Sequence, residues 1–314
     1  MPIDPQVQQI RAGRERGRVA PLYSMSVEAA RAADLASIRA ADGDPEKVHE
    51  VVEHWLPAPG GKVLLRVYRP SAEPSLPVLM YFFGGGWVLG TVDTADGIAR
   101  SLANAAGCIV AVADYRLAPE HPFPAAIEDC WAAAEWVVDN AAAIGADPGR
   151  VAVGGDGAGG NLAAALTLMA QEAGGPRLAG QLLVCPSTDL SDATAADESM
   201  RTSDDPYLFN RHSVAWYRSQ YLPDPDDAYN PLASPLQAER LAGLPPALVI
   251  TAEYDPWRDQ GERYAARLAR DGVPVAVTRY EGMIHGFFAM SAALDGGKVA
   301  LAQAAKQLRV WFQG

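Results

Sequence analysis

The run Val151-Ala-Val-Gly-Gly-Asp-Gly-Ala-Gly-Gly-Asn161 constrains this chain more than any other stretch. A short apolar segment ends in glycines and gives way at once to the alanine-rich stretch Ala158–Glu172. Val-Ala-Val reads as a short apolar strand that runs into a glycine turn and emerges as a helix. The glycines are the small residues that a sharply turned strand-to-helix junction calls for. Gly155 and Gly159 frame the turn, and Gly157 stands at its centre.

The rest of the chain repeats this alternation. Val78–Phe83 is apolar throughout, and further strands are predicted at Cys108–Ala113, Val151–Gly155, Gln181–Val184, Ala247–Ala252 and Val275–Tyr280. Helical stretches fall between and after them at Asp93–Ala106, Pro124–Asn140, Ala158–Glu172, Trp257–Arg270 and Lys298–Phe312. Two alternating runs at 48–56 and 62–70, joined by Pro57-Ala-Pro-Gly-Gly61, predict an antiparallel opening pair. The expectation is an α/β fold with one mostly parallel, doubly wound sheet of about eight strands. Val27–Ala41, after Ser26 as N-cap, predicts a helix in an N-terminal segment spanning 1–45. The sheet domain then covers 46–314. Between Asp189 and Leu244 no strand pattern occurs, and the interval is too long for a plain loop. A helical insertion at about 190–243 is expected above the sheet, joining the N-terminal helices as a cap.

Composition narrows the partners. With 26 Lys and Arg against 38 Asp and Glu the net charge is −12, a field that repels phosphate backbones and anionic lipid headgroups. Neither nucleic acid nor a membrane surface is expected. Cys108, Cys130 and Cys185 are scattered among apolar residues without metal-ligand spacing and read as buried thiols of a reducing compartment. Met1–Arg18 has no apolar core of the kind a secretory signal requires, and a cytoplasmic protein is the expectation.

In a parallel α/β sheet ligands bind beyond the carboxyl ends of the strands. Phe83-Gly-Gly-Gly-Trp87 follows one strand, and its glycines let backbone N–H groups reach a substrate oxygen. Taken alone, a triple glycine is more often a flexible turn. Asp255 follows another strand and His285 a third. Singly, an Asp before Pro starts turns, and a His beside Gly is an ordinary loop residue. Their order carries more weight. The glycine turn at 157 has the form Gly-x-Ser-x-Gly with glycine in the serine's place, the acid comes 98 residues later and the His 30 residues after that. This is the chain order of α/β-hydrolases.

On these residues the chain resembles the bacterial carboxylesterases of the hormone-sensitive-lipase-like family, with its HGGG loop and GDSAGG turn. The likeness runs through Gly84-Gly-Gly-Trp87, Asp114-Tyr-Arg-Leu-Ala-Pro-Glu-His121 with Phe123-Pro-Ala-Ala126, Gly155–Asn161, Asp255-Pro-Trp-Arg-Asp259 and His285-Gly-Phe287. The resemblance implies a serine esterase acting on small, short-to-medium acyl esters without metal or cofactor. It implies a triad at positions 157, 255 and 285, and an oxyanion hole from the amides of Gly85, Gly86 and Ala158. Trp87, Tyr207, Trp216 and Tyr217 are the expected pocket residues. A homodimer through an edge strand or helix near the C-terminus, around Val275–Tyr280, is also among its implications.

Two residues depart from the family pattern. Phe83 stands where the family has His, and can support the oxyanion loop by packing but not by hydrogen bonding. Gly157 stands where it has Ser, so no acyl-enzyme can form, and an inactive or nearly inactive chain is expected. Retention of Asp255, His285 and the glycine loop favours an engineered inactivating substitution in a working esterase. Phe83, as a second departure, favours a natural non-hydrolytic member that binds a small molecule or uses His285 in an acid–base reaction.

Overall fold

The computed structural model describes residues 2–42 and 45–313. In chain order it contains α1 (Pro5–Arg16), α2 (Val27–Asp42), β1 (Glu50–Ala58), β2 (Gly61–Arg69), β3 (Leu76–Phe82), α3 (Asp96–Ala106), β4 (Ile109–Ala113) and α4 (Ala125–Asp139). There follow β5 (Ala146–Asp156), α5 (Ala158–Ala173), β6 (Leu178–Val184), α6 (Glu198–Thr202), α7 (Arg211–Tyr221), β7 (Ala247–Tyr254), α8 (Arg258–Arg270), β8 (Val275–Ile284) and α9 (Asp295–Trp311). The eight strands form one sheet in the order β1-β2-β4-β3-β5-β6-β7-β8. The β1–β2 and β2–β4 pairs are antiparallel and the remaining pairs parallel. This is the mostly parallel sheet of about eight strands with an antiparallel opening pair expected from the sequence.

Burial explains the strand patterns. Leu79, Met80, Tyr81 and Phe82 of β3 and all of β4 are buried, because helices cover both faces of the middle of the sheet. At the margin β1 alternates, leaving Val51 and Trp55 exposed. Val275–Tyr280, whose apolar pattern would equally suit a core strand, belongs to β8 at the opposite edge, paired only with β7 and exposing Val277. The three cysteines are buried and free. Among the described residues no helix is long and apolar enough to cross a membrane.

The interval 190–243 contains no strand, as expected, but it is far from continuously helical. Beyond α6 and α7 it holds only single 3-10 turns at Asp192–Ala196, Pro225–Tyr229 and Pro235–Gln237. Pro206, Pro223, Pro225, Pro231 and Pro235 lack the amide a longer helix would need. The first helix, α1, touches this interval. Arg11 Nε lies 2.5 Å from Asp205 Oδ2, and Arg14 Nη1 donates to the Tyr207 carbonyl at 3.0 Å. α1 itself begins on Pro5, with Asp4 Oδ1 accepting from the Gln6 amide at 2.8 Å. The expected boundary at 45 adjoins positions 43–44, which lie outside the described residues.

Register brings the carboxyl ends of five strands together. Phe82 pairs with Gly155, Asp156 with Val184, and Tyr254 with Ile284. The next residue after each strand is therefore Phe83, Gly157, Cys185, Asp255 or His285.

Candidate active site

Gly157 joins β5 to α5 with φ 54° and ψ −113°, a conformation that L residues adopt only under strain. Its amide donates to the Val184 carbonyl at 2.8 Å, and its carbonyl accepts from the Asn161 amide at 3.1 Å. The flanking glycines are required by close approach. A Cβ on Gly159 would stand 1.8 Å from the Phe82 carbonyl oxygen, and one on Gly155 would stand 2.4 Å from it. The end of β3 thus presses directly on the turn. A Cβ on Gly157 itself would come nearest to His285 Nε2 at 3.3 Å, His285 Cε1 at 3.4 Å and Trp257 Cζ3 at 3.5 Å. The apex of the turn points at the imidazole.

The loop after β3 folds back through hydrogen bonds from the Val88 and Leu89 amides to the Gly85 carbonyl, at 3.1 and 2.8 Å. Gly85 and Gly86 have φ of 120° and 60°, which the absence of a Cβ permits. The Gly84 amide donates to Asp156 Oδ1 at 3.1 Å, and the Tyr81 hydroxyl donates to the same oxygen at 2.7 Å. Burial nonetheless raises the Asp156 carboxyl above its ordinary range. Among the described residues the amides of Gly85, Gly86 and Ala158 donate no hydrogen bond. Three donors, two on the loop and one on the first residue of α5, are free to face an oxygen carrying developing negative charge. Phe83 is buried and stacks on Tyr115 with centroids 4.3 Å apart, while the Tyr115 hydroxyl donates to the Phe83 carbonyl at 2.8 Å. The loop is therefore supported by packing and by a neighbour's hydroxyl.

His285 Nδ1 lies 2.8 Å from Asp255 Oδ2, and the Trp257 amide donates to Asp255 Oδ1 at 2.8 Å. The Asp255 side chain is fully buried. With its Nδ1 directed at Asp255, the ring turns Nε2 toward the Gly157 turn. Cys185, read from the sequence only as a buried thiol, lies beside this pair. Its thiol lies within 4.8 Å of the Asp255 and His285 donor atoms. Burial, then the Asp255 charge and the hydrogen bond to it, push that thiol well above its ordinary range. Cys185 adopts φ 44°, unusual for a non-glycine residue, immediately after β6. These three side chains could hold a metal ion only by displacing the proton that Asp255 and His285 share.

The expected pocket residues divide. Tyr217 covers the loop, since a Cβ on Gly86 would lie 2.3 Å from its ring, and Trp216 packs edge-on against it at 4.9 Å. Trp87 is fully buried, stacked on Tyr221 at 4.3 Å, and presents no surface to a ligand. Tyr207 is engaged away from the imidazole, with the Arg11 guanidinium 5.5 Å over its ring. The rings that do touch the imidazole are Phe209, stacked at 4.1 Å, and Trp257, edge-on at 5.1 Å. Trp257 is visible beside Asp255 in the sequence. Nothing marks Phe209 in advance, because it lies 76 positions from His285 in a segment without periodicity.

A family profile described as the alpha/beta hydrolase fold matches residues 79–289. The esterase LipI of Mycobacterium tuberculosis is 42% identical over 274 residues, covering 84% of this chain and 83% of that protein. An ethyl acetate hydrolase of Pseudomonas putida is 35% identical over 311 residues, covering 96% of each chain. Among solved structures, a hyperthermophilic esterase of the archaeon Pyrobaculum calidifontis superposes with a TM-score of 0.92 at 40% identity, covering 99% of both chains.

Proposed function

We propose, from the premise that the chain belongs to the alpha/beta hydrolase fold family, that it is a carboxylesterase whose nucleophile position is occupied by Gly157. The observation that carries this reading is the 3.3 Å separation between His285 Nε2 and the place a Cβ on Gly157 would take. A serine there would set its hydroxyl within reach of the imidazole. In that form Nε2 takes the hydroxyl proton as the oxygen attacks the ester carbonyl, and Asp255 holds the imidazolium. The amides of Gly85, Gly86 and Ala158 receive the oxyanion. The alcohol leaves with the proton from His285, and water returns through the same steps to release the acid.

The chain with Gly157 lacks the hydroxyl, so this sequence stops before its first bond. What is left to it is slow hydrolysis by a water held against His285. Small esters are the expected substrates, in keeping with the ethyl acetate hydrolase among the relatives. Residues 1–45 and 190–243 are read together as the cap that closes on them, a reading supported by the contacts of Arg11 and Arg14 with Asp205 and Tyr207. The three free buried thiols fit a reducing, cytoplasmic compartment, and the exposed Val277 on the β8 edge fits a homodimer joined there.

The test compares this chain with Gly157→Ser on short p-nitrophenyl esters. The serine form is expected to turn over faster by on the order of a million-fold, the cost of removing the nucleophile from a serine triad. It is also expected to be less stable by about 1–3 kcal/mol, because serine must adopt a strained backbone conformation. Equal activity of the two proteins would show that residue 157 is not the nucleophile position.

Phe83 favours a second reading. It is fully accommodated against Tyr115, as expected of a natural departure from the family pattern rather than of an isolated engineered change. In that reading Gly157 is native, and the chain binds a small molecule or uses His285 alone for proton transfer. The genomic codon for residue 157 separates the two: serine there identifies an engineered inactive esterase, glycine a natural non-hydrolytic member.

A further inference from the structure

Cys185, Asp255 and His285 are each the first residue after a strand, and the strands are β6, β7 and β8, successive neighbours in the sheet. β6 pairs with β7 and β7 with β8 in parallel register, so this end of the sheet delivers the three side chains to one place. The Cys185 Sγ, a carboxylate oxygen of Asp255 and a ring nitrogen of His285 all lie within 4.8 Å of one another. The sequence hides the group, because its members come from distant segments that no ligand spacing links.

A thiolate, an imidazole and a carboxylate make a donor set suited to zinc. With bonds of roughly 2.0–2.3 Å, ligand atoms around a tetrahedral zinc ion stand about 3.3–3.8 Å apart. His285 Nδ1 and Asp255 Oδ2 start at 2.8 Å, and the thiol starts no further than 4.8 Å from either donor. Spreading the first pair by about half an ångström and drawing in the thiol by about 1 Å would meet that geometry. The carboxylate is already oriented, since the Trp257 amide holds Oδ1 at 2.8 Å and leaves Oδ2 toward the imidazole. Phe209 lies over a face of the ring at 4.1 Å, so an ion in the ring plane at Nδ1 does not meet it. The His285 side chain is 17% exposed and that of Asp255 not at all, which makes the imidazole the way in. Thiolate and carboxylate together balance a divalent charge, and a neutral group is what burial tolerates. The thiol proton goes to solvent as the ion binds, and the imidazole binds as the neutral ring with its proton on Nε2.

We propose that Cys185, Asp255 and His285 form a zinc site that switches the esterase off. The proposal rests on the ester-hydrolase reading of the same residues and adds a means of regulation to it. An ion on Nδ1 replaces the hydrogen bond to Asp255 and leaves the ring's proton on Nε2. That nitrogen stands 3.3 Å from a Cβ on Gly157, so it then donates where the reaction needs it to accept. The charge of −12 on the whole chain draws cations toward the molecule.

Residue 157 supplies no ligand, so the chain as it stands serves for the binding test. Reduced, metal-free protein is titrated with Co2+ and then with Zn2+ and followed by absorption. Binding of about one Co2+ per chain is expected, with the thiolate-to-cobalt absorption in the ultraviolet and the intense visible bands of a tetrahedral ion, and Zn2+ is expected to displace it. Cys185→Ser is expected to abolish the thiolate absorption. His285→Gln is expected to weaken Zn2+ binding by more than about 100-fold, the upper end of what losing a supporting contact costs. Cys108→Ala and Cys130→Ala are expected to leave the spectrum as it is.

The switch itself is read in Gly157→Ser. Zn2+ is expected to inhibit hydrolysis of a short p-nitrophenyl ester, with half its effect at the concentration that half-fills the site, and a chelator is expected to restore the rate. With Cys185→Ser added, about 100-fold more zinc is expected to be needed for the same inhibition. No stoichiometric binding of either ion, a thiolate absorption that survives Cys185→Ser, or bound zinc that leaves an active Gly157→Ser protein uninhibited would each overturn the proposal. Should Cys185→Ser fail to fold, His285→Gln decides the matter, and full zinc affinity in that variant overturns the site. A Gly157→Ser protein that binds zinc and hydrolyses no ester rejects the ester-hydrolase reading alone, because the spectroscopic titration needs no turnover.

Discussion

Phe209 lies across the His285 imidazole at 4.1 Å and 27°, in edge contact with Trp257 at 4.9 Å. It shields one ring face from water and limits the positions the imidazole can take. Such an aromatic contact is worth about 0.5–1.5 kcal/mol beyond its buried area. In the Gly157→Ser protein, Phe209→Leu keeps an apolar cover and removes the stack. Its kcat is expected to fall by roughly 2- to 10-fold with Tm nearly unchanged, as read by steady-state kinetics beside a thermal melt. An unaltered kcat would reduce Phe209 to simple filling. Gly157, Asp255 and His285 could be singled out from the sequence because each stands in a short local pattern next to a strand end. Cys185 also follows a strand but stands in no such motif, and Phe209 stands in neither, since their contacts arise only when distant segments pack. The sequence likewise offered Trp87 as a pocket residue, whereas its indole is stacked beneath the surface on Tyr221.

At the scale of elements, the β5–α5 junction shows how tightly a strand end can press on a helix. With the Phe82 carbonyl 1.8 Å from any Cβ on Gly159, Gly159→Ala must push β3 and α5 apart. Overpacking of this kind costs about 1–3 kcal/mol or more, and a large fall in Tm is expected. Gly13, inside α1, has nothing within 4 Å of an added Cβ. Gly13→Ala is expected to stabilise the protein by about 0.5–1 kcal/mol through helix propensity alone. Denaturant titration of both variants checks the pair, and a neutral Gly159→Ala would mean that α5 can slide. Most elements were legible because periodicity is local: the apolar runs became β3 to β7, and the antiparallel opening pair kept its place. The interval 190–243 was less so. Its lack of strands was evident, but the prolines that confine it to short turns act one at a time, and it meets α1 through contacts that no local pattern announces. Likewise the pattern of Val275–Tyr280 identifies a strand without saying whether a second sheet neighbour will cover it.

For the molecule as a whole, an excess of acidic over basic residues giving −12 means that the folded surface repels itself. Raising the salt concentration from about 20 to about 150 mM brings the screening length near 8 Å. Tm is expected to rise by about 1–2 °C, measured by calorimetry at pH 8. A fall instead would mean that attractive pairs such as Arg116 with Asp129, 2.8 Å apart, outweigh the net repulsion. The site, too, belongs to the whole sheet, because Phe83, Gly157, Cys185, Asp255 and His285 each follow a different strand. Phe83 and His285 are separated by 202 positions, 285 minus 83. At about 5–20 residues per second of synthesis, roughly 10–40 seconds pass between the making of one and of the other. Throughout that time a growing chain carries its glycine loop without the His285 imidazole, so on the proposed mechanism premature termination before β8 would yield fragments that lack the proton acceptor.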